Sequence, residues 1–153
     1  DMDSWLVLQN HYNLLNRWEI EPELMPLCEC FGLGMMTYSP LAVGLLTGLF
    51  RRGQKPPEGS PWNDDERFDR ALSEENDRLV AELIEMGRAL DKTPAQIAVA
   101  WILDHPQITA PIIGPDRPEH VEEVIGALDV ELSAEQRQRL DELSQWQPLH
   151  RYA

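Results

Sequence analysis

With 153 residues, 42% of them hydrophobic and 26% charged, the chain has the size of one domain and too much apolar content for disorder. Its net charge of −14, from 27 acidic against 13 basic residues, excludes the basic groove of a nucleic-acid binder and reads as solubility. No apolar run reaches the ~18 residues of a membrane span and no stretch reads as a signal peptide, so a cytoplasmic protein without membrane contact is expected.

The opening Asp1-Met-Asp-Ser-Trp5 does not read as a natural initiation segment, and a strand-like run over residues 5–9 follows at once. The chain is therefore expected to begin in the middle of a longer architecture. Residues 21–31 predict a helix with Leu24, Leu27 and Phe31 on one face, Pro22 in its first turn and Gly32 and Gly34 at its exit. Cys28 and Cys30 lie on it two apart, a spacing that points them to different sides, so they read as reduced thiols rather than a disulfide or zinc site. A second strand over residues 35–41 is continuously apolar, as in a parallel sheet buried on both faces.

Residues 51–72, with Pro56, Pro57, Gly59 and Pro61, predict a long polar connection without regular structure. Such a loop is either functional or a disordered linker. Ser73 then opens an amphipathic helix through Leu90, carrying Leu79, Leu83, Met86 and Leu90 at helical spacing. Thr93-Pro94 caps and starts the next helix, residues 95–103, which is apolar nearly all round and expected to be buried. A third strand over residues 109–114 is followed by a helix from Pro118 to about Leu128. Ser133-Ala-Glu-Gln136 is a capping box for a last helix ending near Ser144. The chain thus divides into residues 1–50 with two strands and their loops, the 51–72 loop, residues 73–128 with helices and the last strand, and a C-terminal helix and tail over 129–153.

Strand, polar loop and helix, three times over, is the rhythm of an α/β barrel, whose sites lie at the C-terminal ends of its strands. That places chemistry at Gln9, at residues 38–41 and at the turn 114–118. Gln9 offers an amide donor and acceptor, Tyr38 a flat ring face, and Gly114 room for backbone approach ahead of a helix N-terminus that favours an anion. Each has a bland counterpart: a hydrogen-bonding glutamine of the fold, a core tyrosine, a turn glycine. Trp18 and Trp62 read equally as pocket walls or as aromatics packed on the surface.

Gln9-Asn-His-Tyr-Asn-Leu-Leu-Asn-Arg17, Thr37-Tyr-Ser-Pro-Leu-Ala-Val-Gly-Leu-Leu-Thr-Gly48 and Ile112-Ile-Gly-Pro-Asp-Arg-Pro-Glu-His-Val-Glu-Glu123 together resemble the aldo-keto reductases. The likeness runs along almost the whole chain and is greatest to the branch that includes the potassium-channel beta subunits. The resemblance implies a (β/α)8 barrel, here incomplete, that reduces small aldehydes or ketones with NADPH. By the same resemblance Gln9 holds the nicotinamide carboxamide, Tyr38 stacks on the nicotinamide, and Ser39, Pro40 and Leu41 line the pyrophosphate path. Gly114, Asp116, His120 and Glu123 fall where the family grips the adenosine end and its 2′-phosphate.

Three departures accompany it. Leu49 stands where the family commonly has lysine, Asp116 where it has a small hydroxyl residue, and Val124 where it has asparagine. An aspartate repels a 2′-phosphate but accepts a hydrogen bond from a ribose 2′-hydroxyl, so NADH is expected to be accepted, with Arg117 able to offset the charge. The family's catalytic aspartate, tyrosine, lysine and histidine have no counterparts here, and no catalytic residue is assigned. Three readings follow: an oxidoreductase represented by its cofactor-binding part, a nucleotide-binding regulatory subunit, or an inactive half-barrel. In the last the first strand is an apolar edge that invites oligomers.

Overall fold

A computed structural model describes residues 5–18, 20–62 and 65–145; the expectations for the opening four residues and for the tail beyond residue 145 lie outside them. Strand β1 (Val7–His11) leads through a π-helical turn, Ile20–Leu24, into α1 (Met25–Phe31) and then β2 (Gly34–Tyr38). After a 3-10 turn at Leu45–Thr47 come α2 (Asp65–Ala71), α3 (Glu74–Leu90) and α4 (Pro94–Leu103). The described residues continue through β3 (Ile108–Ile112), α5 (Pro118–Ile125), a 3-10 turn at Gly126–Asp129 and α6 (Ala134–Leu143).

The strands form one parallel sheet in the order β1-β2-β3, so the C-terminal ends of all three lie at one end of the molecule. β1 pairs with β2 from Val7↔Gly34 to His11↔Tyr38, and β2 with β3 from Met35↔Ile108 to Tyr38↔Ile112, with an irregularity between Met35 and Met36. Thr109 at that irregularity sends its hydroxyl to the Met35 amide as acceptor at 3.2 Å. Period-two alternation gives the sheet two different faces. Met35 and Thr37 turn into the buried layer, whereas Gln9 and Tyr38 stay exposed on the other side.

The buried layer joins the sheet to α3 and α4 through Tyr12, Leu14, Leu46, Leu79, Leu83, Ile97 and Trp101. Each such aliphatic or aromatic side chain contributes about 1.5–3 kcal/mol by leaving water. α4 is buried on all sides, as its composition requires. Its N-cap is a complete capping box: Thr93 Oγ1 accepts from the Gln96 amide at 3.2 Å and the Thr93 amide donates to Gln96 Oε1 at 2.9 Å. Ser133 and Gln136 repeat the arrangement on α6.

Five expectations need correction. The second strand runs Gly34–Tyr38 rather than over 35–41, because the backbone turns left-handed at Ser39, and it is not buried on both faces, since Tyr38 is exposed. β1 runs Val7–His11 rather than over 5–9, because its partner strand starts only at Gly34. Trp5 and Leu6 lie before it with 82% and 77% of their surface exposed. The helix expected over 21–31 opens with a π turn, whose extra residue rotates the face that follows. Met25 and Cys28 are therefore buried, while Leu27 and Phe31 face outward. The 51–72 connection is not irregular throughout: α2 forms because Phe68, 3% exposed, and Leu72 reach the core. Finally, the helix after β3 tightens into a 3-10 turn at Gly126, where a Cβ would stand 2.3 Å from Gln96 Nε2. Among the described residues no helix is long and apolar enough to cross a membrane.

Candidate functional site

The open face of the sheet carries its side chains in layers set by the strand register. His11, Tyr38 and Ile112 form the layer nearest the C-terminal end, with Gln9, Met36 and Ala110 roughly 7 Å below it. Gln9 and Tyr38 thus share one face, and Tyr38 is 45% exposed. The loops leaving β2 and β3 rise from the same end, which brings Ser39, Pro40, Leu41, Gly114, Asp116 and Arg117 to it as well.

The β2 loop has an unusual backbone. Ser39, Ala42 and Val43 all adopt left-handed φ values of 56°, 50° and 54°, and Gly44 follows at 86°. A β-branched residue there is strained, and such strain persists only where surrounding contacts over-determine it. Here they do. The Ala42 amide donates to the Ser39 carbonyl at 3.0 Å, and Trp62 Nε1 donates to the Val43 carbonyl at 2.9 Å. Trp62 is 5% exposed, packs beside Phe68 and lies under the Arg67 guanidinium. Of its two sequence readings, packing is the one that holds: Trp62 is a strut for the β2 loop.

Beyond β3, Gly114 is exposed, and a Cβ added to it meets nothing within 4 Å, so space is open around that turn. Asp116 and Arg117 are both exposed, and Arg117 is the extended N-cap of α5 without a side-chain cap bond. His120 and Glu123, half-buried, lie three apart on α5 and hence on one side of it. The Glu123 carbonyl accepts from Gln96 Nε2 at 2.8 Å, tying α5 to the start of α4. Leu49 is 72% exposed after the β2 loop.

Sequence reasoning assigned no role to His11 or Asn13. The His11 ring stacks on Tyr38 with centroids 5.1 Å apart and planes 17° from parallel. Asn13, fully buried, donates from Nδ2 to the Ser39 carbonyl at 2.8 Å and meets His11 Nε2 at 3.1 Å. An asparagine just past a strand is the available signal, since its side chain readily closes a local turn; here Oδ1 accepts from the Leu15 amide at 2.8 Å.

Tyr12, in contrast, has no access to the open face. It is fully buried, donates to Glu21 Oε1 at 2.7 Å and meets His105 Nε2 at 3.1 Å. Burial, then the Glu21 carboxylate, drives its pKa far above the ordinary tyrosine value, the reverse of an acid poised to give up a proton. Arg17, opposed by burial but paired with Glu21, holds its charge more firmly than a free guanidinium and reaches Asp141 and Ser144 on and beyond α6.

A family model described as the aldo/keto reductase family matches residues 2–145. The chain belongs to the aldo/keto reductase family. The three parallel strands among the described residues, with their helices, are strand–helix units of the (β/α)8 barrel of that family. Among its relatives is a probable voltage-gated potassium channel subunit beta of Oryza sativa subsp. japonica, 34% identical over 132 residues, which are 85% of this chain and 40% of that protein. An L-glyceraldehyde 3-phosphate reductase of Escherichia coli O157:H7 is 33% identical over 154 residues, 93% of this chain and 44% of that protein. A probable aldo-keto reductase 1 of Glycine max is 32% identical over 128 residues, 82% of this chain and 36% of that protein. The chain spans about two fifths of the length of these curated relatives. As a family, aldo/keto reductases are oxidoreductases that act on carbonyl substrates and generally use NAD(P)H.

Proposed function

We propose that the protein is an NAD(P)H-dependent oxidoreductase that reduces small aldehydes or ketones, and that this chain supplies much of the cofactor's seat. The observation that carries the reading is the joint exposure of Gln9 and Tyr38 on one sheet face, at the end where both strand-end loops emerge. The residues fit the group. The Gln9 amide donates to and accepts from a carboxamide, and the Tyr38 ring offers a flat apolar wall to a heteroaromatic ring. Ser39, Pro40 and Leu41 border the pyrophosphate path on a loop that Asn13 ties at the Ser39 carbonyl and Trp62 at the Val43 carbonyl. The open turn at Gly114 and the N-terminal amides of α5 suit the anionic adenosine end, with Asp116, Arg117, His120 and Glu123 around it.

Bound there, the cofactor supplies a hydride to the carbonyl carbon. The chain's own residues orient it: Gln9 fixes the rotation of the carboxamide, and Tyr38 covers one ring face and excludes water from it. No described residue is proposed as the proton donor. Asp116 and the apolar Leu49 together lower the attraction for a 2′-phosphate, so NADH is accepted beside NADPH.

The test is to titrate the protein, Gln9→Leu and Tyr38→Ala with NADPH and with NADH, following cofactor fluorescence. Both variants are expected to bind more weakly, and Asp116→Ser to shift preference toward NADPH. Affinities unchanged in Gln9→Leu and Tyr38→Ala would sink the reading. A second reading, a nucleotide-binding regulatory subunit, is favoured by the relatives that carry a channel-subunit name. Tight cofactor binding without turnover of any aldehyde, together with co-purification of a membrane channel, would favour it over the first. The apolar edge at Trp5, Leu6 and Val7 is proposed as the surface through which the sheet associates with further strands.

A further inference from the structure

The hydrogen bonds at the ends of β1 and β2 determine one another. The Asn13 amide oxygen is committed to the Leu15 amide, so its Nδ2 faces the Ser39 carbonyl and His11 Nε2. Both protons of that amide are then in use, and His11 Nε2 is the acceptor, which places the imidazole proton on Nδ1. Asn16 adds a second tie, donating from Nδ2 to the His11 carbonyl at 2.8 Å. One buried asparagine thereby holds two things: the left-handed Ser39, 26 residues away, and the plane of the His11 imidazole, two residues away. That imidazole lies nearly parallel to the Tyr38 ring at 5.1 Å, yet Tyr38 as a residue stays 45% exposed.

We propose that His11 and Asn13 are positioning residues for the nicotinamide. Asn13 locks the His11 ring, and His11 backs Tyr38 so that the tyrosine's open face is presented in one orientation. The inference rests on Tyr38 being the nicotinamide wall. Removing the backing frees the tyrosine's χ angles, and ordering them again on binding lowers affinity.

The experiment measures the NADPH dissociation constant of the protein, His11→Leu, His11→Phe and Tyr38→Ala, with the melting temperature of each variant without cofactor. His11→Leu is expected to weaken NADPH roughly two- to tenfold, the range of an aromatic pair, and His11→Phe to restore most of it. A role in stability alone would instead lower the melting temperature and leave the dissociation constant in place. The ¹⁵N shifts of His11 are expected to report protonated Nδ1 and unprotonated Nε2; the opposite tautomer overturns the part given to Asn13. Should Tyr38→Ala weaken NADPH while His11→Leu leaves it unchanged or tightens it, the backing role is overturned and the tyrosine wall stands. Should Tyr38→Ala itself have no effect, the wall fails and the inference falls with it.

Discussion

Tyr12→Phe isolates one hydroxyl in the network that fastens the segment after β1 to α4 and α6. The ring itself would stay in place, since it is stacked on Trp101 at 5.5 Å and edge-on to His105 at 5.6 Å. What is lost is the donor to Glu21 Oε1 at 2.7 Å and the contact with His105 Nε2 at 3.1 Å. A buried hydrogen bond to a charged group contributes about 1.5–3 kcal/mol. Glu21 keeps its two bonds from Arg17, at 2.6 and 3.0 Å, which holds the expected loss to about 2 kcal/mol. For a chain of this length that corresponds to a fall of roughly 4–8 °C in melting temperature. Urea titration and scanning calorimetry measure it, with the urea m-value unchanged.

The pH dependence of the same variant is fixed in sign. Burial, then Glu21, raises the folded pKa of Tyr12 above its unfolded value. Its stabilisation is therefore complete below about pH 10 and lost as pH rises beyond it, because only the unfolded chain releases the proton. The advantage of the wild type over Tyr12→Phe should narrow above about pH 10. A loss under about 0.5 kcal/mol at neutral pH, or a gap that does not narrow in alkali, would refute the network as the fastening.

Two further predictions concern the loops that frame the site. Arg51 grips Asp77 on α3 through Nε and Nη2 at 2.8 and 2.9 Å, and the Arg52 amide adds a third bond at 2.9 Å. Asp77→Ala should lose about 1–2 kcal/mol, between an exposed ion pair and a buried charged bond. The Arg51 hydrogen bond depresses the Asp77 pKa, so the difference should be constant above about pH 5 and fade as pH falls below about 4; acid denaturation of both proteins checks this, and a pH-independent gap contradicts it. At Val43, half-exposed with φ of 54°, Val43→Gly should raise stability by about 0.5–1 kcal/mol, since release of left-handed strain exceeds the added freedom of the unfolded chain. Urea unfolding that shows destabilisation would mean the valine side chain makes contacts that outweigh its strain.

Several elements were legible because they depend on residues a few positions apart. Thr93 with Gln96, and Ser133 with Gln136, start α4 and α6 by hydrogen bonds closed within three residues. The apolar composition of α4 leaves it no stable place except the interior. The three strand–loop–helix units and the position of Tyr38 at the end of β2 followed from the same local patterns, whereas Gln9 lies inside β1, two residues before its end. The candidate residues of the three units come to one end because a parallel sheet puts every strand's C-terminal end on one side.

Tertiary structure decided the rest. A π turn no pattern announced rotated α1, turning Phe31 outward and Met25 inward. α2 exists because Phe68 meets Phe50 and Trp62, which are 18 and six residues away. The His11–Tyr38 stack depends on strand register, and the bond from Asn13 to Ser39 spans two strand ends. By itself, the sequence determined the kind of barrel unit and the order of its strands and helices, since local hydrogen bonding and periodicity suffice for both. Which rings touch, and which backbone strain is held, was decided only when the register brought distant residues within contact distance.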